Sequence, residues 1–396
     1  MAANAFGFAA FIAVLAVAGL LASEILGNDS LAGIPAAAAT LGAATAATPL
    51  ALRSKRRGRR RGLWLGYTIG AAGAAVALIG GQLGVFWILV MGMAVFGVGN
   101  ASNMQSRFAA SDLAPEQGRA RAIAMVVWVG TIGAVLGSPA ALWINRIGVE
   151  RGLADWVAPS LLGVAGFVLA GGVIVIFLRP DPLELAGGVD PETPLDNPIH
   201  GAWRSWNAVW PNARARLAIV AMAVSQMAMV AVMVMTPLHM KDHGHAELST
   251  IVIAVHVLGM FGLSPFVGRW ADRFGRVNAL RIGAVILGAG TVAAVAAGYV
   301  PGLLFAGLFL LGVGWSFSLI AGSALLTESL PMAERVGAQG LADVTVSVFG
   351  ASAALLSGFV KEMAGFHWLA NFATITAVLI FIAATRVGRS ESRIAA

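Results

Sequence analysis

Two pairs of potential soft-metal ligands lie close together in a strongly apolar part of the sequence. Met229 and Met233 are four residues apart, and so are His256 and Met260. Since residues at i and i+4 share one face of an α-helix, each pair would place two ligand side chains next to each other. Thioether sulfur is soft and imidazole is intermediate, so these ligands suit Cu(I) better than Mg²⁺, Ca²⁺ or Mn²⁺. Zinc would favour cysteine, histidine or carboxylate ligands, and the chain has no cysteine.

The surrounding segment is rich in the same two residue types. Residues 222–260 hold seven of the 14 methionines and four of the six histidines. Methionine also fills gaps in apolar cores, and His256 could instead relay a proton or bond to a neighbouring helix. We interpret three of the methionines as core or lipid contacts: Met222, Met227 and Met235. Four further residues follow the apolar run and are predicted to capture metal at its outer mouth: His239, Met240, His243 and His245.

The elements that position these ligands are predicted to be membrane-spanning helices. Of the 396 residues, 58% are hydrophobic and only 11% are charged, which excludes an ordinary soluble domain. Twelve apolar runs are long enough to cross a hydrocarbon core of about 30 Å. The predicted fold is therefore an all-α polytopic membrane protein with twelve transmembrane helices. The runs are 5–27, 31–52, 62–81, 84–106, 120–143, 157–178, 215–238, 248–268, 278–299, 302–325, 337–360 and 367–386.

The distribution of basic residues predicts the orientation of the chain. Of the 26 lysines and arginines, only Arg146, Arg151, Lys241 and Lys361 fall in the loops after odd-numbered spans. The positive-inside rule then places both termini in the cytoplasm, and we predict a bacterial cytoplasmic (inner) membrane protein. The basic run at residues 53–61 is interpreted as a loop that contacts anionic membrane lipid, and no nucleic acid partner is expected.

The sequence repeats itself at a separation of 216 residues. Thr48-Pro49 corresponds to Ser264-Pro265, and Asp112 corresponds to Glu328. This repeat predicts two parallel six-helix halves, as in transporters with a site near the membrane midplane. The predicted domains are an N-terminal bundle at 1–178, a cytoplasmic linker at 179–214 and a C-terminal bundle at 215–396. Within the linker, Trp residues at i, i+3 and i+7 predict a short interfacial helix: Trp203, Trp206 and Trp210.

The segment between predicted spans 8 and 9, Gly268-Arg-Trp-Ala-Asp-Arg-Phe-Gly-Arg276, resembles the GxxxDRxGR signature of the major facilitator superfamily. In the first half, Lys55 stands where that signature has its aspartate. The resemblance implies a two-half transporter that works by alternating access. It also implies a conformational latch. In this latch, Asp272 can interact with the positive end of a neighbouring helix, while Arg273 and Arg276 can bind carboxylates or lipid phosphates. The predicted latch residues are Gly268, Asp272, Arg273, Gly275 and Arg276.

The MxxxM and HxxxM pairs also resemble the CcoA-like copper importers, a subfamily of the same superfamily. The resemblance implies that Met229, Met233, His256 and Met260 bind copper as the transported substrate, with no permanently bound cofactor. It makes copper chaperones of the periplasm or cytoplasm candidate partners, and a monomer is expected. Related members resemble riboflavin transporters, so transport of riboflavin or of another organic solute or drug is the alternative.

Two acidic residues in the apolar runs are candidates for coupling transport to protons. Glu24 is near the outer end of the first span and Asp343 is near the inner end of the eleventh. Carboxylates at membrane ends are usually solvated, which is the competing expectation for both. The sequence contains no Walker loop, nucleophile elbow or HExxH motif, so an enzyme is not expected. A sensor that binds copper without moving it is a further alternative.

Overall fold

The computed structural model describes residues 1–28, 31–194, 198–242, 248–297 and 300–395, and the regular elements in these ranges are helical. Within them, twelve segments are long and apolar enough to cross a membrane. This confirms the predicted number of spans and the all-α class. Apolar side chains are compatible with the lipid interior. Because lipid cannot hydrogen-bond the backbone N–H and C=O groups, the helix bonds them to one another.

In the described part of the chain, eight α-helices precede residue 210. The first six are membrane spans, whereas α7 and α8 are short. Their bounds are α1 Ala2–Leu26, α2 Ile34–Arg57, α3 Arg59–Gln82, α4 Phe86–Asp112, α5 Arg119–Glu150, α6 Pro159–Phe177, α7 Pro182–Leu185 and α8 Pro198–Val209. A 3₁₀ turn, Glu116–Gly118, precedes α5. The α8 helix carries Trp203 and Trp206, and Trp210 follows its end; all three indole side chains are exposed.

The remaining helices form the last six spans. Their bounds are α9 Ala213–Asp242, α10 Ser249–Val257, α11 Ser264–Phe274, α12 Arg276–Ala296, α13 Pro301–Ser329, α14 Met332–Ala364 and α15 Phe366–Ala395. One predicted span, 248–268, is therefore divided between α10 and α11 and extends further to Phe274.

The break in the eighth span is a π-helical turn over Leu258–Gly262. Pro265 has no N–H with which to bond the carbonyl of Phe261, so α-helical hydrogen bonding cannot run through this point. The Ser264 hydroxyl donates to the Met260 carbonyl at 3.4 Å, which gives a side-chain partner to a backbone group near the break. A π turn inside a membrane helix is frequently found at a functional site.

The described residues group into two compact units. Unit 1 contains Met1–Leu113, Val129–Ser205 and Gln339–Val344. Unit 2 contains Ala114–Trp128, Trp206–Ala338 and Thr345–Ala396. The first turns of α5 thus belong to unit 2, and six residues of α14 belong to unit 1.

Small residues bring the helices of each unit into backbone contact. In unit 1, a Cβ added to Gly70 of α3 would lie 2.6 Å from the Cα of Gly99 in α4. In unit 2, a Cβ added to Gly290 of α12 would lie 2.6 Å from the backbone nitrogen of Leu311 in α13. Close approach through small side chains is how membrane helices gain packing energy without a hydrophobic driving force between them.

Candidate functional site

His256 is fully buried on α10, and its ring is fixed by a neighbouring helix. The Nδ1 atom lies 2.7 Å from the carbonyl oxygen of Leu308 in α13. A carbonyl only accepts, so Nδ1 carries the proton and, in the neutral ring, Nε2 presents a lone pair. Within the described part of the chain, Nε2 is buried without a hydrogen-bond partner. Metal-binding histidines are held in this way, with one nitrogen on a carbonyl and the other directed to the ion.

Met260 lies in the π turn that follows α10 and is almost completely buried. Its backbone approaches α13 closely, since a Cβ added to Gly312 would lie 2.8 Å from the Met260 nitrogen. His256 and Met260 are therefore held by the same neighbouring helix. The close backbone packing limits how far either residue can shift without moving α13.

Met229 and Met233 lie on α9, which contacts α10. Met229 is buried and Met233 is half-buried. The two ligand pairs are thus on contacting helices of unit 2. The described residues contain no group of three or more His, Asp or Glu side chains that could hold a metal ion.

Three further methionines of α9, Met222, Met227 and Met235, occupy packing positions, as predicted. Met222 is buried and accepts a weak contact from the Ser323 hydroxyl at 3.5 Å. Met227 and Met235 pack against a small apolar cluster of Ala231, Ala353 and Leu369.

The predicted outer mouth is only partly within the described residues. His239 is buried with its ring stacked on Phe366, at a centroid separation of 4.3 Å, and Met240 is also buried. Both lie in helix packing rather than on an open surface. His367 of α15 lies 6.1 Å from the His239 ring and was not singled out from the sequence. His243 and His245 lie outside the described residues.

The latch sequence forms a charge cluster in unit 2. Asp272 accepts hydrogen bonds from the backbone nitrogens of Ala120 at 3.1 Å and Arg121 at 2.9 Å, at the start of α5. Arg276 lies 2.9 Å from Asp272 and 2.8 Å from Glu328. The carboxylate of Asp272 thereby meets the positive end of a helix and a guanidinium together.

The other latch residues have separate roles. Gly268 packs on the first turn of α5, where an added Cβ would lie 2.5 Å from the Ala124 Cβ. Gly275 has φ 89°, a left-handed conformation that favours glycine between α11 and α12. Arg273 is exposed, with its guanidinium 5.2 Å from the centre of the Phe274 ring. It makes no ion pair within the described residues.

Unit 1 contains a related cluster in which the counterpart of Asp272 is Lys55. Arg59 lies 2.8 Å from Asp112, as Arg276 does from Glu328, and it also donates to Gln339 at 2.5 Å. Lys55, in the position of Asp272, pairs instead with Asp190 at 3.7 Å. Asp181 accepts from the backbone nitrogens of Arg59 and Arg60 at 3.1 and 2.8 Å. The start of α3 is therefore capped by the segment that follows α6.

The two candidate coupling carboxylates have opposite environments. Glu24 is exposed in the last turn of α1, as expected for a solvated membrane end. Asp343 differs from that expectation because it is buried, and its Oδ1 accepts a 2.6 Å hydrogen bond from Arg107. The helix α14 begins at Met332, so Asp343 lies about three turns inside it. Sequence reasoning gave Arg107 no carboxylate partner.

Comparisons with known proteins identify the family. The profile described as Major Facilitator Superfamily matches residues 1–263 and 245–394. A Bacillus subtilis (strain 168) protein, described as the uncharacterized MFS-type transporter YddS, is 36% identical over 377 residues, covering 95% of this chain and 86% of that protein. The riboflavin transporter RfnT of Brucella anthropi is 29% identical over 383 residues, covering 96% and 92%. The human organic anion transporter MFSD10 has the same fold, with a TM-score of 0.81, 15% identity and coverage of 97% of both chains.

The chain is a polytopic membrane transporter and belongs to the major facilitator superfamily. It is not an enzyme, since the members of this family move solutes rather than convert them. The substrate is a separate question, because one fold serves many cargoes and the site must identify the one carried.

Proposed function

We propose that the chain imports copper, as Cu(I), through a site formed by His256, Met260, Met229 and Met233. The main support is the environment of the His256 ring. Its Nδ1 is held by the Leu308 carbonyl, while its Nε2 is buried without a partner in the described residues. A buried polar atom without a partner costs free energy, which a bound ion would recover.

The ligand types account for the choice of metal. Neutral thioether and imidazole ligands favour a soft monovalent ion, and the absence of cysteine leaves methionine as the sulfur ligand. Neutral ligands also bind without the strong attraction of thiolates, which permits release. Alternating access would move the ion between the two sides, and the basic-residue distribution supports cytoplasmic termini in a bacterial inner membrane.

The second candidate is a flat organic solute such as riboflavin, and a second cluster in unit 2 favours it. The Trp315 indole donates to Gln226 at 2.6 Å and packs edge-on against Phe261 at 5.8 Å. An indole held in place beside an amide is suited to stacking with a heteroaromatic ring while bonding to its polar edge. The relative of Brucella anthropi is named as a riboflavin transporter.

Uptake into proteoliposomes distinguishes these proposals. Wild type is compared with His256→Asn, because the asparagine amide can keep the bond to Leu308 while removing Nε2. Met222→Leu is the control, since Met222 is a buried methionine of α9, the helix that carries Met229 and Met233, and lies outside the proposed site. Radioactive copper, supplied with a reductant, and labelled riboflavin are measured in parallel.

We expect wild type and Met222→Leu to accumulate copper and His256→Asn to lose most of this uptake. Riboflavin uptake by wild type with no copper accumulation would overturn the copper proposal in favour of the organic solute. Copper binding without accumulation would show that the site binds the metal without transporting it, which would overturn copper as the transported substrate.

A further inference from the structure

A cavity of about 570 Å³ lies in unit 2 beside the latch, between α9, α12 and α15. Its lining includes arginines from all three helices, and no Asp or Glu is among the described residues that line it. The arginines are Arg214, Arg276, Arg281 and Arg389. A copper cation would be repelled by a cavity of this charge and uncharged riboflavin would gain no ionic attraction from it, so the proposed transport site does not account for it.

At two of the arginines of this cavity, no carboxylate of the described part of the chain cancels the positive charge. Arg276 is neutralised by Asp272 and Glu328. The partners of Arg281 in the described ranges, however, are neutral groups, namely Asn278 at 2.6 Å and the carbonyls of Ala384 and Thr385 at 3.3 and 3.5 Å. Arg281 and Arg389 form no ion pair with any residue in the described ranges. Two formal positive charges therefore face one cavity without a counter-ion among the described residues.

The Arg281 guanidinium is also positioned rather than free to swing away. Its bonds to Asn278 on its own helix and to two carbonyls of α15 hold it between the helices. A Cβ on Gly388 would collide with Nη2 of Arg281, so glycine at this position leaves room for the guanidinium. The Nε atom of Arg281 is buried without a hydrogen-bond partner among the described residues. A planar guanidinium held in this way is suited to bind phosphate oxygens.

The apolar wall of the cavity indicates where the phosphate comes from. Val277 and Phe381 line the cavity together with the arginines, and Phe381 is 40% exposed. The same two helices carry exposed apolar residues further along, such as Val285 and Leu379. These side chains lie in spans that face lipid, where acyl chains would cover them. A free phosphate ion would use the arginines and leave this apolar wall without a contact.

We propose that this cavity binds the phosphate of an anionic phospholipid, with Arg281 and Arg389 on the headgroup and Phe381 against the acyl region. Arg276 and Gly275 belong both to the cavity and to the latch, so the lipid would be in contact with the latch cluster. The proposal is independent of the identity of the transported substrate.

Lipid binding to the purified full-length protein tests this site. Native mass spectrometry in detergent counts bound phosphatidylglycerol and, separately, phosphatidylcholine. The test variant is Arg281→Gln combined with Arg389→Gln, and the matched control is Arg386→Gln, which removes a charge from α15 outside the cavity lining. A second double variant, Arg281→Lys with Arg389→Lys, retains both charges. It shows whether a loss of binding comes from the lost charge or from misfolding.

We expect wild type and Arg386→Gln to retain phosphatidylglycerol in preference to phosphatidylcholine, and the double glutamine variant to bind it about tenfold more weakly. The double lysine variant should retain most of the binding. Equal binding of the two lipids by wild type, or equal phosphatidylglycerol binding by the double glutamine variant and Arg386→Gln, would overturn the proposal. Displacement of the lipid by millimolar inorganic phosphate would show that free phosphate, rather than a lipid, is the ligand.

Discussion

The Arg107 guanidinium donates a 2.6 Å hydrogen bond to Asp343 although the two residues are 236 positions apart in the sequence. Their side chains are 4% and 6% exposed, so the pair is an ion pair inside membrane-spanning helices. The second oxygen of Asp343 is buried without a hydrogen-bond partner in the described residues. This carboxylate is therefore held in place by a single ionic contact.

Removing one member of this pair should be far more damaging than removing both. Arg107→Met or Asp343→Leu leaves one buried charge unpaired, which should cost about 3–5 kcal/mol of stability. The double variant replaces both charges with apolar groups and should recover much of this loss. Thermal unfolding of the four proteins in detergent gives the coupling free energy, and additive single effects would contradict the proposed pairing.

The latch should depend on Asp272 much more than on Lys55. Asp272→Ala removes the acceptor for two backbone nitrogens of α5 and one partner of Arg276, which should destabilise the protein by about 1–2 kcal/mol. Among the described residues, the Lys55 ammonium pairs with the half-exposed Asp190 carboxylate at 3.7 Å. Lys55→Ala should therefore change stability by less than about 0.5 kcal/mol. Unfolding temperatures measured side by side decide this, and equal losses would mean that the two clusters are equivalent.

The segment after α6 should stabilise the start of α3 through Asp181. Asp181→Ala leaves the backbone nitrogens of Arg59 and Arg60 without their acceptor, at an expected cost of about 1 kcal/mol. Glu184→Gln, an exposed acidic residue three positions later, is the control and should have no measurable effect. Hydrogen exchange at the first turn of α3 should increase in the first variant alone; unchanged exchange there would remove Asp181 from this role.

The π turn should determine the geometry of the His256 and Met260 pair. Pro265→Ala restores an N–H that can bond the Phe261 carbonyl, so the span can straighten and rotate Met260 relative to His256. We expect Cu(I) affinity to fall by between about tenfold and a hundredfold. Pro49→Ala, the repeat counterpart within the continuous helix α2, is the control and should leave the affinity unchanged. Copper affinity that is insensitive to Pro265→Ala would separate the turn from the site.

Hydropathy alone predicted the twelve spans, because the length of an apolar run shows directly whether a helix formed from it can cross the membrane. The break in the eighth span was present in the sequence as Gly259, Gly262 and Pro265, but an average over the run from 248 to 268 conceals a local change in helix type. The Arg107 to Asp343 contact could not be predicted in this way, since neither residue's neighbours in sequence carry information about a helix 236 residues away. The Leu308 carbonyl could not be predicted either, because a backbone group leaves no signal in a side-chain motif. It nevertheless determines which nitrogen of His256 is available.

The repeat predicted the latch only in part. The correspondence of Asp112 with Glu328 indicated two related carboxylates, and each accepts from an arginine at the start of the preceding span, α3 or α12. The replacement of aspartate by Lys55 was visible, yet the contact of Lys55 with Asp190 and the capping of α3 by Asp181 depend on how the segment after α6 folds back.

The most direct test of the copper site is the X-ray absorption spectrum of the purified protein loaded with one equivalent of Cu(I). The proposed site predicts sulfur ligands together with one imidazole, and His256→Asn should lose the imidazole signal while keeping the sulfur signal. Met222→Leu should give the wild-type spectrum. A spectrum without sulfur ligands, or one that is the same in wild type and His256→Asn, would contradict a copper site formed by the Met229, Met233, His256 and Met260 side chains.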